Sequence, residues 1–336
     1  MWRTGGCVKK WLWLLVVTGG CIEYDPSSTL PLAGVANPRA LEVSTQTDKL
    51  VQVEVPEVDI LWVVDNSCSM SDEQAVLGDN FPTFMEFFLG SGLDYHIGVT
   101  TTDMNVTEGI LQSADGYRYL DPETEDPEGV FARMVDLGTT GSATEKGRDA
   151  AYAAVEIQDQ PYRPNDGFTR EDASLHVVII SDENDYSSEV AIGEFVDYLL
   201  NLKWAEDMVT FSSIVSLDGG CDVEVGTDYR AVTAAVGGEE YSICEASWRP
   251  MLERLGLQAS GLRREYFLSE IPVPGSIVVW VEEVTDSGNV TFNFEEETDW
   301  TYEESRNSIT FETYVPNALS SVFVDYEILS ASENDF

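Results

Sequence analysis

The sequence predicts an α/β fold: a doubly wound, mostly parallel sheet followed by a small antiparallel β module. Residues 58–64 and 175–180 are mostly apolar runs, typical of strands buried on both faces of a parallel sheet. Residues 95–102 and 209–215 are two further predicted strands. Segments with helical spacing of apolar residues separate them, which favours strand–helix units. From residue 272 onwards apolar and polar residues alternate, as in half-buried antiparallel strands.

The charge balance excludes one class of partner. The 336 residues include 18 basic and 61 acidic ones, so the formal net charge is −43. A nucleic-acid partner is excluded because phosphate binding requires a cationic surface. No Gly-rich loop ends in Lys-Ser or Lys-Thr, so the sequence gives no support for nucleotide binding. Such an acidic surface repels anions and attracts divalent cations, although it also serves general solubility.

The N-terminal segment has the pattern of a secretory signal. Its first ten residues include three basic ones and no acid, and residues 11–17 are apolar. Seven apolar residues are too few for a permanent membrane helix, which needs about 20. Residues 18–20 before Cys21 resemble a bacterial lipobox, which implies cleavage before Cys21 and lipid attachment to it. Because Ile22, not Asp, follows, the resemblance implies the outer membrane of a Gram-negative cell; the alternative is an ordinary secreted protein.

Cysteine usage is consistent with export. Cys7 lies in the signal and Cys21 is the predicted anchor, which leaves Cys68, Cys221 and Cys244. Three cysteines allow three pairings. We favour Cys221–Cys244, which would close a loop of about two dozen residues and stabilise the fold by roughly 3 kcal/mol. Cys68 is then a free thiol, for which filling a tight turn is a simpler role than catalysis.

Polar oxygens follow the first buried strand directly. Asp65, Ser67 and Ser69 come after residues 58–64, and Ser71 with Gln74 has the pattern of a capping box that begins a helix. Ligands of open α/β sheets bind at the carboxyl ends of the strands. Hydroxyl and carboxylate oxygens at alternate positions suit Mg²⁺ or Mn²⁺.

The spacing Asp-x-Ser-x-Ser after a buried strand resembles the metal-ion-dependent adhesion site (MIDAS) of von Willebrand factor A domains, whose fold is Rossmann-like. The resemblance implies a threonine three residues before a glycine at the start of a helix, which Thr144 and Gly147 provide. Thr139, Thr140 and Ser142 are possible substitutes. It also implies an acid after a later strand, where Asp182 stands.

The resemblance therefore implies five metal ligands, which are Asp65, Ser67, Ser69, Thr144 and Asp182. The hydroxyls would bind the ion directly, and the two aspartates mostly through waters. The cation would be Mg²⁺, with Mn²⁺ or Ca²⁺ as alternatives, unless these residues only cap the turn and the helix. Glu183 and Asp185 are expected to be solvated loop charges, although they could orient waters, recruit Ca²⁺ or block the site.

The function that these observations favour is metal-dependent protein binding, adhesion-like, by a lipid-anchored envelope protein. The ion would accept an acidic residue of a protein partner. One alternative is a structural envelope protein whose metal only stabilises it. The other is a Mg²⁺-dependent phosphatase-like hydrolase with Asp65 as nucleophile, for which Lys146 is the only candidate lysine. His96 and His176 lie in strands and are expected to be buried and hydrogen-bonded, so we predict that the protein is not an enzyme.

The predicted segments are a lipoprotein signal (1–20), a tether (21–56), the von Willebrand factor A-like domain (57–270), the β module (271–331) and a tail (332–336). A short edge strand is expected at 50–55. Residues 104–135 are expected to be a surface insertion with a hairpin near 117–120, because they are rich in Gly, Pro and acids. Residues 219–244 are expected to be irregular.

Overall fold

A computed structural model describes residues 41–52, 57–89, 91–285 and 288–331 of the protein. The predicted signal, Cys21 and the predicted tail lie outside these residues. Within the described ranges, no helix is both long and apolar enough to span a bilayer. Val43–Leu329 pack as one unit.

The described ranges contain twelve β-strands and six α-helices. The strands are β1 (Leu41–Val51), β2 (Glu57–Val64), β3 (Asp94–Thr101), β4 (Ser174–Ile180), β5 (Val209–Val215), β6 (Glu240–Ser242), β7 (Glu265–Phe267), β8 (Val278–Thr285), β9 (Gly288–Phe294), β10 (Trp300–Glu303), β11 (Ser308–Phe311) and β12 (Ser321–Ala331). The helices are α1 (Ser71–Met85), α2 (Pro127–Val135), α3 (Gly147–Tyr152), α4 (Ile192–Leu200), α5 (Thr227–Val236) and α6 (Arg249–Ala259).

The central sheet has five parallel strands in the order β3-β2-β4-β5-β6. The predicted parallel sheet is therefore confirmed. Its first strand, β2, lies between the second and the third, so the direction in which the chain adds strands reverses at β2. Residues 58–64 of β2 are all buried, which explains why this strand reads as a continuous apolar run.

Helices cover both faces of this sheet. Ile60, Trp62 and Val64 of β2 point to one face, where they share a core with residues of α1, α2 and α6. Leu61 and Val63 point to the opposite face and pack with residues of α3, α4 and α5. The period-two alternation of a strand places successive side chains in two separate cores, and this is the mixed α/β architecture that the sequence predicts.

The expected surface insertion at 104–135 is wrong for its last nine residues. Residues 127–135 form α2, which buries Val130, Phe131 and Met134. Phe131 lies 5.8 Å from Trp62 between ring centroids. Asp126 begins the helix by accepting a hydrogen bond from the Gly129 N–H. The apolar stripe of this nine-residue helix is too short to stand out in an acidic, Gly-rich segment.

The expected irregular region at 219–244 is also wrong in part. It contains α5, whose Tyr229 and Val232 are buried, and β6, which pairs in parallel with β5. Three residues are too few for β6 to show a strand period, so its pairing depends on tertiary contacts.

The predicted antiparallel strands beyond residue 272 are confirmed. They form two sheets, β1-β12-β8-β9 and β10-β11-β7, with observed pairs all antiparallel. Val279, Val281 and Val324 are fully buried between them. Two of the strands come from outside the predicted β module, since β1 belongs to the predicted tether and β7 precedes residue 271. The strand expected at 50–55 overlaps β1 only at its start, and residues 53–56 lie outside the description.

Candidate metal centre

The carboxyl ends of three adjacent strands bring the first site residues together. Asp65 follows β2, Thr102 follows β3 and Ser181 follows β4. The Asp65 N–H donates to the Ile180 carbonyl at 2.9 Å, and the Thr102 N–H donates to the Val64 carbonyl at 3.4 Å. The strand order reverses here, and open α/β sheets bind their ligands at such a point.

Asp65 is fully buried. Its Oδ1 accepts the Ser67 N–H at 2.7 Å and its Oδ2 accepts the Ser181 hydroxyl at 2.7 Å. Burial raises the pKa of this carboxyl, and the nearby charge of Asp182 raises it further, against the lowering effect of those hydrogen bonds. The hydrogen bonds therefore fix the orientation of the carboxylate without neutralising its charge.

The two predicted serines point to the same place. Ser67 is buried and Ser69 is exposed, and their hydroxyl oxygens lie 3.1 Å apart. The exposed thiol of Cys68 is free. The predicted capping box is wrong, because α1 has no side-chain cap. Instead, the buried Gln74 amide donates to the carbonyls of Asp65 and Gly138 at 3.0 and 3.1 Å.

The loop before α3 is fixed onto the strand ends by its backbone. The Gly141 N–H donates to the Asn66 carbonyl at 3.0 Å, and the Lys146 N–H donates to the Thr102 carbonyl at 3.1 Å. Gly147 begins α3 with its N–H 3.2 Å from the Tyr229 hydroxyl. A Cβ at this position would lie 2.6 Å from the same oxygen, so the predicted glycine is required by close packing.

Within this loop, the exposed residue Thr144 is followed directly by the buried residue Glu145. Thr144, the predicted ligand, is exposed, and its N–H donates to the Ser142 hydroxyl at 3.1 Å. Glu145 is fully buried. One oxygen, Oε2, accepts the Thr102 hydroxyl, and the other, Oε1, has no donor. Burial and the adjacent Asp65 carboxyl raise the pKa of Glu145 to about 8.

Asp182 completes the predicted set. It is only 7% exposed, its backbone carbonyl accepts the Glu224 N–H at 3.0 Å, and its Oδ1 has no donor. Glu73 and Glu183 lie close enough for the charges of Asp65 and Asp182 to raise their pKas, after the larger effect of burial.

Asp185 differs from its neighbours. Its carboxylate is 2.9 Å from the Arg148 guanidinium, and both side chains are buried. The expectation of a solvated loop charge is therefore wrong for Asp185, because the sequence does not reveal that Arg148 lies opposite it.

The other acids of the site have no cationic partner among the described residues. Among the described residues, none of the carboxylates in the cluster forms an ion pair; the cluster is Asp65, Glu73, Glu145, Asp182 and Glu183. Buried charges without a partner are costly. No group of three or more His, Cys, Asp or Glu side chains in the described ranges is arranged as a complete metal site. Serine hydroxyls and carboxylate oxygens without a donor are the kinds of ligand that a hard divalent cation takes.

The two histidines lie elsewhere. His176 is buried, with its ring nitrogens 2.6 Å from the Thr210 hydroxyl and 3.1 Å from the Ser212 hydroxyl. Burial lowers its pKa to about 3. His96 is half-buried, with Nδ1 2.8 Å from the Phe168 carbonyl. Both are hydrogen-bonded within strands, as predicted.

The predicted Cys221–Cys244 disulfide is confirmed, with Cα atoms 5.7 Å apart. It joins the segment after β5 to the segment after β6.

Glu145, Ser181 and Thr102 are not among the predicted site residues. Glu145 and Ser181 are each adjacent to a predicted ligand, and Thr102 ends a predicted strand, which is the only signal that the sequence offers. The Ser181–Asp65 and Thr102–Glu145 contacts depend on the order of the strands.

No protein-family model matches the chain, and no curated protein matches it. Among solved structures, the chain is similar to proximal thread matrix protein 1 from the mussel byssus, at 12% identity and a TM-score of 0.40, covering 68% of this chain and 52% of that one. It is also similar to the pilus adhesin SpaC from Lactobacillus rhamnosus GG, at 9% identity and a TM-score of 0.42, covering 88% and 42%. The chain spans about half of the first protein and less of the second. We draw nothing about function from these likenesses.

Proposed function

We propose that the α/β part of the chain is a von Willebrand factor A-like domain that binds a divalent cation and, through it, an acidic residue of a protein partner. The protein would be exported and attached to the outer membrane by a lipid on Cys21. The ion would be held by Asp65, Ser67, Ser69 and Asp182 together with the loop at 138–147. This proposal is for binding, not catalysis.

One observation carries the proposal. The Ser181 hydroxyl, at the end of β4, donates a hydrogen bond to the Asp65 carboxylate at 2.7 Å. Asp182, which follows Ser181, therefore belongs to the same cluster as the two serines that follow Asp65. The cluster lies where the strand order reverses, which is the ligand position of open α/β sheets. Its carboxylates have no cationic partner among the described side chains, although the protein pairs other buried acids with arginines.

The chemistry of a small divalent ion suits this role. Mg²⁺ prefers six oxygens in octahedral geometry and usually keeps several waters. A carboxylate from a partner can replace one of these waters. Without an ion, the formal charge of −43 would repel an acidic partner at long range. The ion therefore provides the local positive charge that such a contact needs.

The hydrolase alternative has less support. It requires a lysine that faces the metal, and Lys146 is the nearest candidate in the sequence. The contact found for Lys146 is a backbone one, to the Thr102 carbonyl, and no described ion pair joins its ammonium group to Asp65. We therefore retain protein binding as the proposed function.

The first test is the effect of metal on thermal stability. We expect Mg²⁺ to raise the melting temperature of the wild-type protein relative to EDTA, because an ion that binds only the folded state stabilises it. Asp65→Ala and Asp182→Ala should remove this rise. Asp79→Ala, which changes an exposed acid on α1, is the matched control and should keep it. An unchanged metal response in both site variants would refute the site.

A pull-down with and without EDTA separates binding from a purely structural metal. Capture of a partner that is lost in EDTA and in Asp65→Asn supports the proposal. Capture that is insensitive to both supports the structural alternative.

A further inference from the structure

We propose that Glu145, and not Thr144, is the ligand that the loop before α3 contributes to the ion. This inference rests on the proposed function, because it assigns a residue of the same site. In this assignment Glu145 is the carboxylate that contacts the cation directly, while Asp65 and Asp182 act through waters.

Exposure distinguishes the two adjacent residues. The side chain of Thr144 lies on the exposed side of the loop, where its backbone forms a small turn with Ser142. Glu145 is fully buried and its carboxyl lies within interaction distance of the Asp65 carboxyl. Backbone bonds on both sides fix this arrangement, since the Lys146 N–H donates to Thr102 and the Glu145 carbonyl accepts the Tyr186 N–H at 2.7 Å.

A structural role leaves the Glu145 carboxyl unexplained. A buried carboxylate is normally paired or fully hydrogen-bonded. The protein follows this rule at Asp59, which is 2.8 Å from Arg170, and at Asp185, which is 2.9 Å from Arg148. Glu145 instead has one unpartnered oxygen beside a second carboxyl. Two carboxyls placed together share either a proton or a cation, and the cation is the partner that we infer here.

Thr102 has the role of an orienting residue in this arrangement. Its hydroxyl donates to Oε2 of Glu145, which leaves Oε1 available for an ion. Ligating carboxylates are commonly held by such hydrogen bonds from neighbouring groups. Asp65 is held in the same way by the Ser181 hydroxyl.

A directly bound carboxylate has a consequence for binding. Affinity for a hard cation increases with the charge of its ligands. An ion that Glu145 contacts directly should therefore be held more tightly, before a partner arrives, than an ion bound by hydroxyls alone. A divalent ion keeps positive charge beside one carboxylate ligand, and this charge remains for the partner's carboxylate.

Calorimetric titration of Mn²⁺ and Mg²⁺ into the exported full chain tests this assignment. Glu145→Gln keeps the size of the side chain and can still accept from Thr102. We expect it to weaken Mn²⁺ binding about 10- to 100-fold, at least as much as the loss of an outer-sphere partner does. Thr144→Val, the matched control at the adjacent exposed position, should change the affinity less than about twofold.

A second readout separates a ligand from a structural acid. In EDTA, Glu145→Gln should melt at the same or a higher temperature than wild type, because it removes a carboxyl whose ionisation is disfavoured by burial and by the adjacent Asp65. Equal affinity in wild type and Glu145→Gln, with weakened binding in Thr144→Val, would overturn the inference and leave the proposed function intact. Absence of binding by the wild-type protein would instead refute the proposed function itself.

Discussion

Among single residues, the clearest contrast is between buried acids that have an arginine and buried acids that do not. Asp59 and Asp65 are both fully buried on or just after β2. Asp59 is 2.8 Å from Arg170, at the opposite end of the strand from Asp65. Asp65 has hydroxyl and amide donors but no cation among the described side chains. This missing positive charge is the reason for proposing an ion at this end of the sheet.

The buried His176 gives the protein a pH dependence of its own. Its folded-state pKa of about 3 lies below the ordinary value of 6.5, so the unfolded chain binds a proton that the folded one excludes. The contribution of His176 to the free energy of unfolding is fully present above pH 6.5 and is lost as the pH falls from there towards 3. Between pH 7.5 and 5.5 the loss should be on the order of 1 kcal/mol.

Urea denaturation at these two pH values measures this loss. His176→Gln should show a smaller pH dependence than wild type by about that amount. The same difference between the two pH values in both proteins would show that His176 does not exclude its proton.

Among the elements, length and periodicity decide what the sequence can predict. The four long strands of the parallel sheet are evident because each is rich in β-branched and aromatic residues and is followed by polar residues. The nine-residue α2 and the three-residue β6 are not evident in the sequence, because they are too short for their apolar residues to show a clear period. Most of β1 is not predicted, because its partner β12 lies far from it in the sequence.

The residues of the candidate site also differ in how well the sequence predicts them. Asp65, Ser67, Ser69 and Asp182 follow strands, so their common location can be predicted from the parallel sheet. Glu145 cannot, because the choice between it and Thr144 depends on which side of the loop faces Asp65. The sequence of a loop without periodicity does not show which of two adjacent residues faces the site.

The disulfide makes a prediction at the level of elements. Cys221–Cys244 closes a loop with a sequence separation of 23 residues that includes α5 and β6. Replacing both cysteines by serine should lower the free energy of unfolding by about 3 kcal/mol, because the unfolded chain regains loop entropy. Denaturation in urea checks this value. Cys68→Ser, at the free thiol, is the control and should leave stability unchanged; equal stability of all three proteins would contradict the expectation.

For the whole molecule, charge and anchoring are the relevant properties. A formal charge of −43 makes the surface unfavourable for acidic partners except at a bound cation. Attachment to a membrane would place this surface at the cell envelope. The anchoring prediction concerns Cys21, which lies outside the described residues.

Cys21→Ser tests the anchor. We expect the wild-type protein in the membrane fraction of expressing cells and the variant in the soluble exported fraction, because a thioether-linked lipid cannot form on serine. Cell fractionation followed by immunoblotting measures this distribution, with Cys68→Ser as the control. Retention of the Cys21 variant in the membrane would contradict lipid attachment at this residue.

The most direct test of the whole account is anomalous diffraction from crystals grown with Mn²⁺. The account predicts a single strong anomalous peak in contact with the hydroxyls of Ser67 and Ser69 and with the carboxyl ends of β2 and β4. Crystals with Mn²⁺ at saturating concentration and no peak there, or a peak only at a distant surface, would contradict it.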